Sequence, residues 1–342
     1  MTMSPTARHS GASQAAGPPL ISVVLPTYQR GHIVAQAISS VLRQTYRLLE
    51  LIVVDDGSTD GTAEVVSRFE DRRLRLVSLE HVGRSQARNE GASRARGDVV
   101  VFLDSDDAVA PAWLERLSPA FGDPAVAVTC CGAQVTTERP PRGVAATTII
   151  MPRRLDAMYS NRIGLFRAGT FAVRRHVFQA TGGYDARLAF SENSELAIRL
   201  AVQCDERALC FAAVYEPLVL IRRSRDRGGH AELRERLEAI EMILERHRVR
   251  YRQAGRASYG NYRAVAGACA YRLGFTRRAI RHFAAAATAN PLRPLPWGRL
   301  ALALAPPLAH RFWRHRTDLG RAHEPAAEQG TDTALDSALG GL

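Results

Sequence analysis

A chain of 342 residues with 46% hydrophobic and 23% charged residues is long enough to bury a large core and has the balance of a globular protein, which excludes a disordered or fibrous chain. Its formal charge of +12 favours an acidic partner: nucleic acid, an anionic membrane face or a phosphate-bearing small molecule. No nucleic-acid-binding motif accompanies that charge, so nucleic acid is not expected among the partners.

Residues 1–19 are rich in Ser, Ala, Gly and Pro, lack the apolar stretch of a secretory signal and are expected to be a disordered tail. From 21 to 104 the pattern alternates. Short β-branched runs at 21–25, 51–54, 74–77 and 99–103 predict strands, and 34–44, 62–69 and 85–94 have the spacing of amphipathic helices. The runs are apolar throughout, as in strands covered on both faces, so a doubly wound, mostly parallel, Rossmann-like α/β sheet is expected. In such sheets ligands sit beyond the carboxyl ends of the strands.

After Pro111 the regularity weakens. A helix is predicted at 113–120, a strand at 125–130, a Pro/Arg/Gly break at 139–143, strands at 171–173 and 210–214, and a helix at 195–202 between the last two. At 231–247, Leu233, Leu237, Ile240 and Leu244 recur at helical spacing. A helical C-terminal region is therefore expected over 231–318, with a helical hairpin formed by 259–273 and 277–289 around Gly274. The mostly apolar 295–308 precedes a basic, aromatic run, His310 to Arg316. That pairing suits a membrane surface, and equally a helix packed on its own domain with a solvated basic end. Residues 319–342 are expected to be a second disordered tail. No run reaches the roughly 18 apolar residues of a membrane span. The five cysteines form no C-x-x-C pair or zinc-ligand cluster and read as core residues of a reducing compartment. A cytoplasmic protein is expected, with attachment to the inner membrane face left open.

Two strands end in carboxylates. The run at 51–54 leads into Asp55-Asp56-Gly57-Ser58-Thr59-Asp60, and 99–103 leads into Asp104-Ser105-Asp106-Asp107. A single cluster of this kind would be read as a turn and helix cap. Two at neighbouring strand ends point to a divalent cation, because gathered like charges need an offset. The spacing Asp104-x-Asp106 points two carboxylates to one side of an extended segment, as Mn²⁺ or Mg²⁺ accepts them.

These runs, with Ser22-Val23-Val24-Leu25-Pro26-Thr27-Tyr28 before them and Gly83-Arg84-Ser85-Gln86-Ala87-Arg88-Asn89-Glu90-Gly91 between them, resemble family 2 glycosyltransferases of the GT-A fold. The resemblance covers roughly residues 20 to 215 and sets the expected domain at 20–225. It implies an inverting transfer of sugar from a nucleoside-diphosphate sugar to an acceptor hydroxyl, a UDP-sugar before others, in envelope polysaccharide or glycoconjugate synthesis. Carried over by position, it implies that Pro26, Thr27 and Tyr28 lie beside the nucleotide and that Asp55 or Asp56 meets base and ribose. Arg88 and Asn89 would be polar nucleotide contacts, with a solvent-facing helix surface as the bland alternative. Asp104 would face the ribose side, and Asp106 with Asp104 would hold Mn²⁺ or Mg²⁺.

Farther on, Ser191-Glu192-Asn193-Ser194-Glu195 resembles the acceptor side of the family, which usually has Glu-Asp where this chain has Glu192-Asn193. An amide takes no proton from a hydroxyl at neutral pH. Glu192 is the preferred substitute base, and Glu195 reads as an acid at a helix start, favoured by the dipole. Two other classes remain: a nucleotide-binding module silenced by Asn193, and a nucleotidyltransferase, against which stands the lack of a Gly-rich, Lys-containing phosphate loop.

Overall fold

A computed structural model describes residues 17–137, 146–223, 230–254 and 256–305. The break expected at 139–143, the run 310–316 and most of both tails lie outside the described residues.

The first half alternates as its sequence does: β1 (Ile21–Thr27), α1 (Val34–Leu42), β2 (Leu49–Asp55), α2 (Thr62–Ser67), β3 (Leu74–Ser78), α3 (Arg84–Ser93) and β4 (Val99–Phe102). The four strands are parallel in the order β3-β2-β1-β4, so the connections change direction at the β1/β4 boundary. All residues of β1, β2 and β4 are buried. Along them, alternate side chains enter two cores: Val23, Leu25, Val53 and Val101 pack with α1, and Val24, Ile52, Val54 and Phe102 with α3. Gly91 lets α3 lie flat on the sheet, since a Cβ there would stand 2.3 Å from Val24 Cγ1.

The chain continues through β5 (Ala108–Val109), α4 (Trp113–Leu117), β6 (Val126–Thr137), β7 (Ala146–Ile150), β8 (Arg153–Arg154), β9 (Ile163–Gly164), β10 (Phe171–Arg174), α5 (Arg175–Ala180), α6 (Glu192–Glu206) and β11 (Cys210–Arg223). The helix expected at 113–120 is α4 followed by a 3₁₀ turn. Antiparallel β10 joins β4 to β6, which pairs in parallel with β11. β11 runs well past the predicted 214. Its pairing shifts register on both sides of Pro217, where a residue without an N–H breaks the ladder and the strand resumes beyond. Strand β7, on the edge beside β6, and helix α5 were not expected from the sequence.

The C-terminal region is helical as predicted: α7 (His230–Arg246), α8 (Arg248–Ala254), α9 (Arg256–Arg272), α10 (Thr276–Ala289) and α11 (Pro294–Leu304). The hairpin of α9 and α10 turns at Gly274, whose φ is +82°. These helices share one core with Met158, Leu188 and Ile198 of the preceding domain. No helix among the described residues is long and apolar enough to cross a membrane.

Candidate active site

The rim at the carboxyl ends of β1, β2 and β4 gathers the acidic motifs. At β1, Pro26 is tolerated in a central strand because the pairing with β4 stops at Val24; Pro26 and Thr27 are aligned only with Val54 and Asp55 of β2. Thr27 is buried and its Oγ1 has no partner in the structure. Tyr28 is 42% exposed, its ring centroid 4.2 Å from that of His81.

At β2, the Asp55 carboxylate accepts from the Ser58 N–H at 3.2 Å. The Asp56 carboxylate accepts from the N–H groups of Val82 and Gly83 at 2.7 and 2.9 Å and so fixes the entry to α3. Asp60 accepts from the N–H groups of Gly31 and Thr62, tying the loop after β1 to the start of α2. Both acidic residues at the strand end are thus buried and engaged with backbone, and each oxygen keeps a second lone pair.

At β4, the expected extended Asp104-x-Asp106 arrangement is corrected. The segment is a turn, closed by the Asp107 N–H on the Asp104 carbonyl at 3.1 Å. Because the turn folds back, it brings a third carboxylate in: oxygens of Asp104, Asp106 and Asp107 lie within 4.8 Å of one another. Asp107 is buried, and burial first, then the charges of Asp104 and Asp106, push its pKa well above the usual carboxylate value. The Arg222 N–H of β11 reaches it at 3.3 Å, a contact over 115 residues that no local pattern could announce. Arg30 stands 3.8 Å from Asp106.

Helix α3 supplies the connection to the second half. Arg88 is fully buried, not solvent-facing. It donates to Asp104 Oδ1 at 2.6 Å and to Glu192 Oε1 at 2.9 Å, and its guanidinium stands 5.1 Å from the centre of the Tyr184 ring. Asn89 also faces inward. Its amide donates to the Tyr184 carbonyl and accepts from the Tyr184 N–H, both at 2.8 Å, so it pins the turn that precedes α6. Gly183 makes that pairing possible: its φ is +66°, and a Cβ would come within 2.6 Å of Asn89 Oδ1.

Helix α6 starts at Glu192, earlier than predicted, so Glu195 sits one turn inside it. Burial raises the pKa of Glu192, but the charges of Arg84 and Arg88 outweigh burial, and the carboxyl lies below its usual value. Asn193 accepts from the Tyr184 hydroxyl at 2.9 Å. Glu195, fully buried, is held by Arg199 at 2.5 Å, His247 at 3.1 Å and Arg246 at 3.3 Å, and fastens the end of α7 to α6 rather than facing the rim.

The family model for glycosyl transferase family 2 matches residues 22–182. This stretch is a family 2 glycosyl transferase domain. Over 89 residues the chain is 44% identical to the Escherichia coli UDP-Glc:alpha-D-GlcNAc-diphosphoundecaprenol beta-1,3-glucosyltransferase WfgD, covering 26% of this chain and 35% of that one. Curated relatives such as this are matched over about a third to a half of their own length. Among solved structures, residues 1–349 of S. aureus TarS superpose with a TM-score of 0.53 at 19% identity, covering 82% of this chain and 87% of that chain. The Pyrobaculum calidifontis mannosyltransferase PcManGT, in complex with GDP-Man and Mn²⁺, gives 0.52 at 21% identity, covering 90% and 86%. The shared architecture is the GT-A fold. In the glycosyl transferase domain of this chain, the donor set at the β4 turn is all oxygen: three carboxylates of one turn, one of them buried. A hard divalent cation fits such a set.

Proposed function

We propose that the protein is a metal-dependent, inverting glycosyltransferase that moves a sugar from a nucleoside-diphosphate sugar, a UDP-sugar before others, to an acceptor hydroxyl in envelope polysaccharide or glycoconjugate synthesis. The observation that carries this reading is the three-carboxylate turn at the end of β4, on the same rim as Asp55 and Asp56 and next to the topological switch point. WfgD, a glucosyltransferase that takes UDP-Glc and a diphosphoundecaprenol-linked acceptor, supports the substrate classes, and the Mn²⁺ bound to PcManGT supports the metal.

In this reading Pro26 and Thr27 wall the nucleotide pocket and Tyr28 offers a ring face to the base. The remaining lone pairs of Asp55 and Asp56 accept from base and ribose, and Asp104 faces the ribose side. Mn²⁺ or Mg²⁺ held by Asp106 with Asp104 would neutralise charge developing on the departing diphosphate. Arg30, beside Asp106, is placed to meet the same diphosphate. Buried Arg88 holds Asp104 and Glu192 in one rigid frame, so the donor and acceptor sides keep their separation. Glu192, ionised at neutral pH, takes the proton of the attacking hydroxyl, and one in-line displacement inverts the anomeric carbon.

Thermal melting of the purified chain with UDP-, GDP- and dTDP-sugars, each with and without Mn²⁺, tests the donor site. A metal-dependent rise with UDP-sugars is expected. No rise with any donor in a folded sample overturns the reading.

One observation favours a second reading, a domain that holds donor without transferring its sugar. The Asn193 amide is locked to the Tyr184 hydroxyl where the family usually has a carboxylate, and Glu192 gives Oε1 to Arg88. Donor binding with neither transfer nor hydrolysis would select it.

A further inference from the structure

Charge is unevenly spread along this chain. Between Arg246 and Thr317 there are fifteen arginines and no Asp or Glu, whereas the rest of the chain carries three more acidic than basic residues. The basic character of the protein therefore resides in α8 to α11 and the segment that follows. Some of these arginines are spent internally, as Arg278 is on Glu241. Others, among them Arg252, Arg272, Arg277 and Arg281, are exposed.

Helix α11 adds a second, independent feature. A surface helix normally turns its apolar stripe inward and a polar face to water. Here Pro296 and Ala303 are buried and Leu300 packs on the third core, yet the sides flanking that stripe are apolar as well. Trp297 is 45% exposed, Leu295 52% and Leu304 61%, and Leu292 just before the helix is 97% exposed. Trp297, Ala301 and Leu304 follow one another at helical spacing along one of those flanks, and Arg299 is the one charged residue in the helix.

An outward apolar stripe on a helix whose one charge is Arg299, within a stretch of chain that carries arginine and no Asp or Glu, matches a lipid interface: the apolar side chains enter the acyl boundary while the arginines meet lipid phosphates. A nucleic acid would satisfy the arginines but give the leucines and the tryptophan nothing to enter. We propose that α11 and its flanking arginines form a docking surface for an anionic lipid bilayer, with the helix lying in the headgroup layer. No residue of α11 belongs to the carboxylate rim, so vesicle binding is read independently of sugar transfer.

Flotation of the full chain with vesicles of phosphatidylcholine alone and of phosphatidylcholine with phosphatidylglycerol tests it. Binding to the phosphatidylglycerol vesicles, weakened by added salt, is expected. Leu295→Ser, Trp297→Ser and Leu304→Ser together should reduce that binding by about tenfold or more at an unchanged melting temperature. Arg277→Gln with Arg281→Gln, which leaves α11 intact, should reduce it severalfold. No flotation with phosphatidylglycerol vesicles overturns the proposal, as does a triple serine variant that floats like the parent. RNA duplex binding as tight as vesicle binding, and retained by the serine variant, would assign the surface to nucleic acid instead.

Discussion

Asp107 and Glu195 are both buried carboxylates, one at the rim of the parallel sheet and one between α6 and the C-terminal helices, and their surroundings treat them oppositely. Around Asp107, burial and two further aspartates push the pKa up. Around Glu195, hydrogen bonds from His247 and Arg199 and the charges of Arg199 and Arg246 overcome burial, and the pKa lies below its usual value. At the rim three carboxylates share one turn, and the like charges of Asp104 and Asp106 add to burial at Asp107. A carboxylate already surrounded by cations is a fastener. Burial alone does not separate site from scaffold; the sign of the neighbouring charge does.

The sharpest way to break this comparison is at the rim. Asp106→Ala should lower the rate of sugar transfer by about a thousandfold, the scale of losing a key electrostatic contact to the transition state. Melting without metal should stay the same or rise, because one of the charges repelling Asp107 has gone. A variant that transfers sugar at the parental rate would remove Asp106 from the site.

On the other side, Glu195→Gln should cost about 3 kcal/mol in urea unfolding, since it leaves Arg199 and its neighbours without their buried counter-charge. The rate per folded molecule should stay near the parental value. If activity collapses and stability does not, Glu195 belongs to the chemistry.

Between the two regions lies Asn193. Asn193→Asp should raise the transfer rate by about a hundredfold, the lower end of the range for general-base catalysis. An unchanged rate would leave the proton with Glu192, and the pH profile then reports it: with a lowered carboxyl pKa, kcat/KM should stay flat from pH 7 to about 5 and fall only below the ordinary glutamate value.

The smallest effect is expected at Glu241, held by His282 and Arg278 with its pKa brought down to about 2. A lowered folded-state pKa contributes stability that is complete above the unfolded value, 4.5, and is lost as the pH falls toward about 2. Because Glu241 is partly exposed and screened, Glu241→Gln should flatten the acid side of the stability curve by less than about 1 kcal/mol. Urea melts at pH 3 and pH 7 check this.

Much of the first half was legible in the sequence because its signals are local. The runs at 21–25, 51–54 and 99–103 are continuously apolar, and each leads straight to the rim that carries Pro26, Asp55 or Asp104. Where a signal depended on a distant partner, local reading stopped short: at Pro217 in β11, which the ladder steps around, and at β7, which among the described residues pairs with β6 alone. The same reason explains Arg88 and Asn89. Their helix was predicted, but which face of it was buried depended on α6 and the turn at Gly183, roughly a hundred residues away.

The sequence by itself determined the order of strands and helices in the first half, the two acidic motifs at strand ends, and the concentration of arginine beyond residue 245, because each follows from neighbouring residues or simple counting. Only the tertiary structure decided that the β4 turn gathers three carboxylates rather than two, that Arg88 ties Asp104 to Glu192, that Glu195 is a fastener, and that α11 turns an apolar side outward. Each of these depends on which side chains, far apart in the chain, share a buried or exposed place, and that is settled when the elements pack.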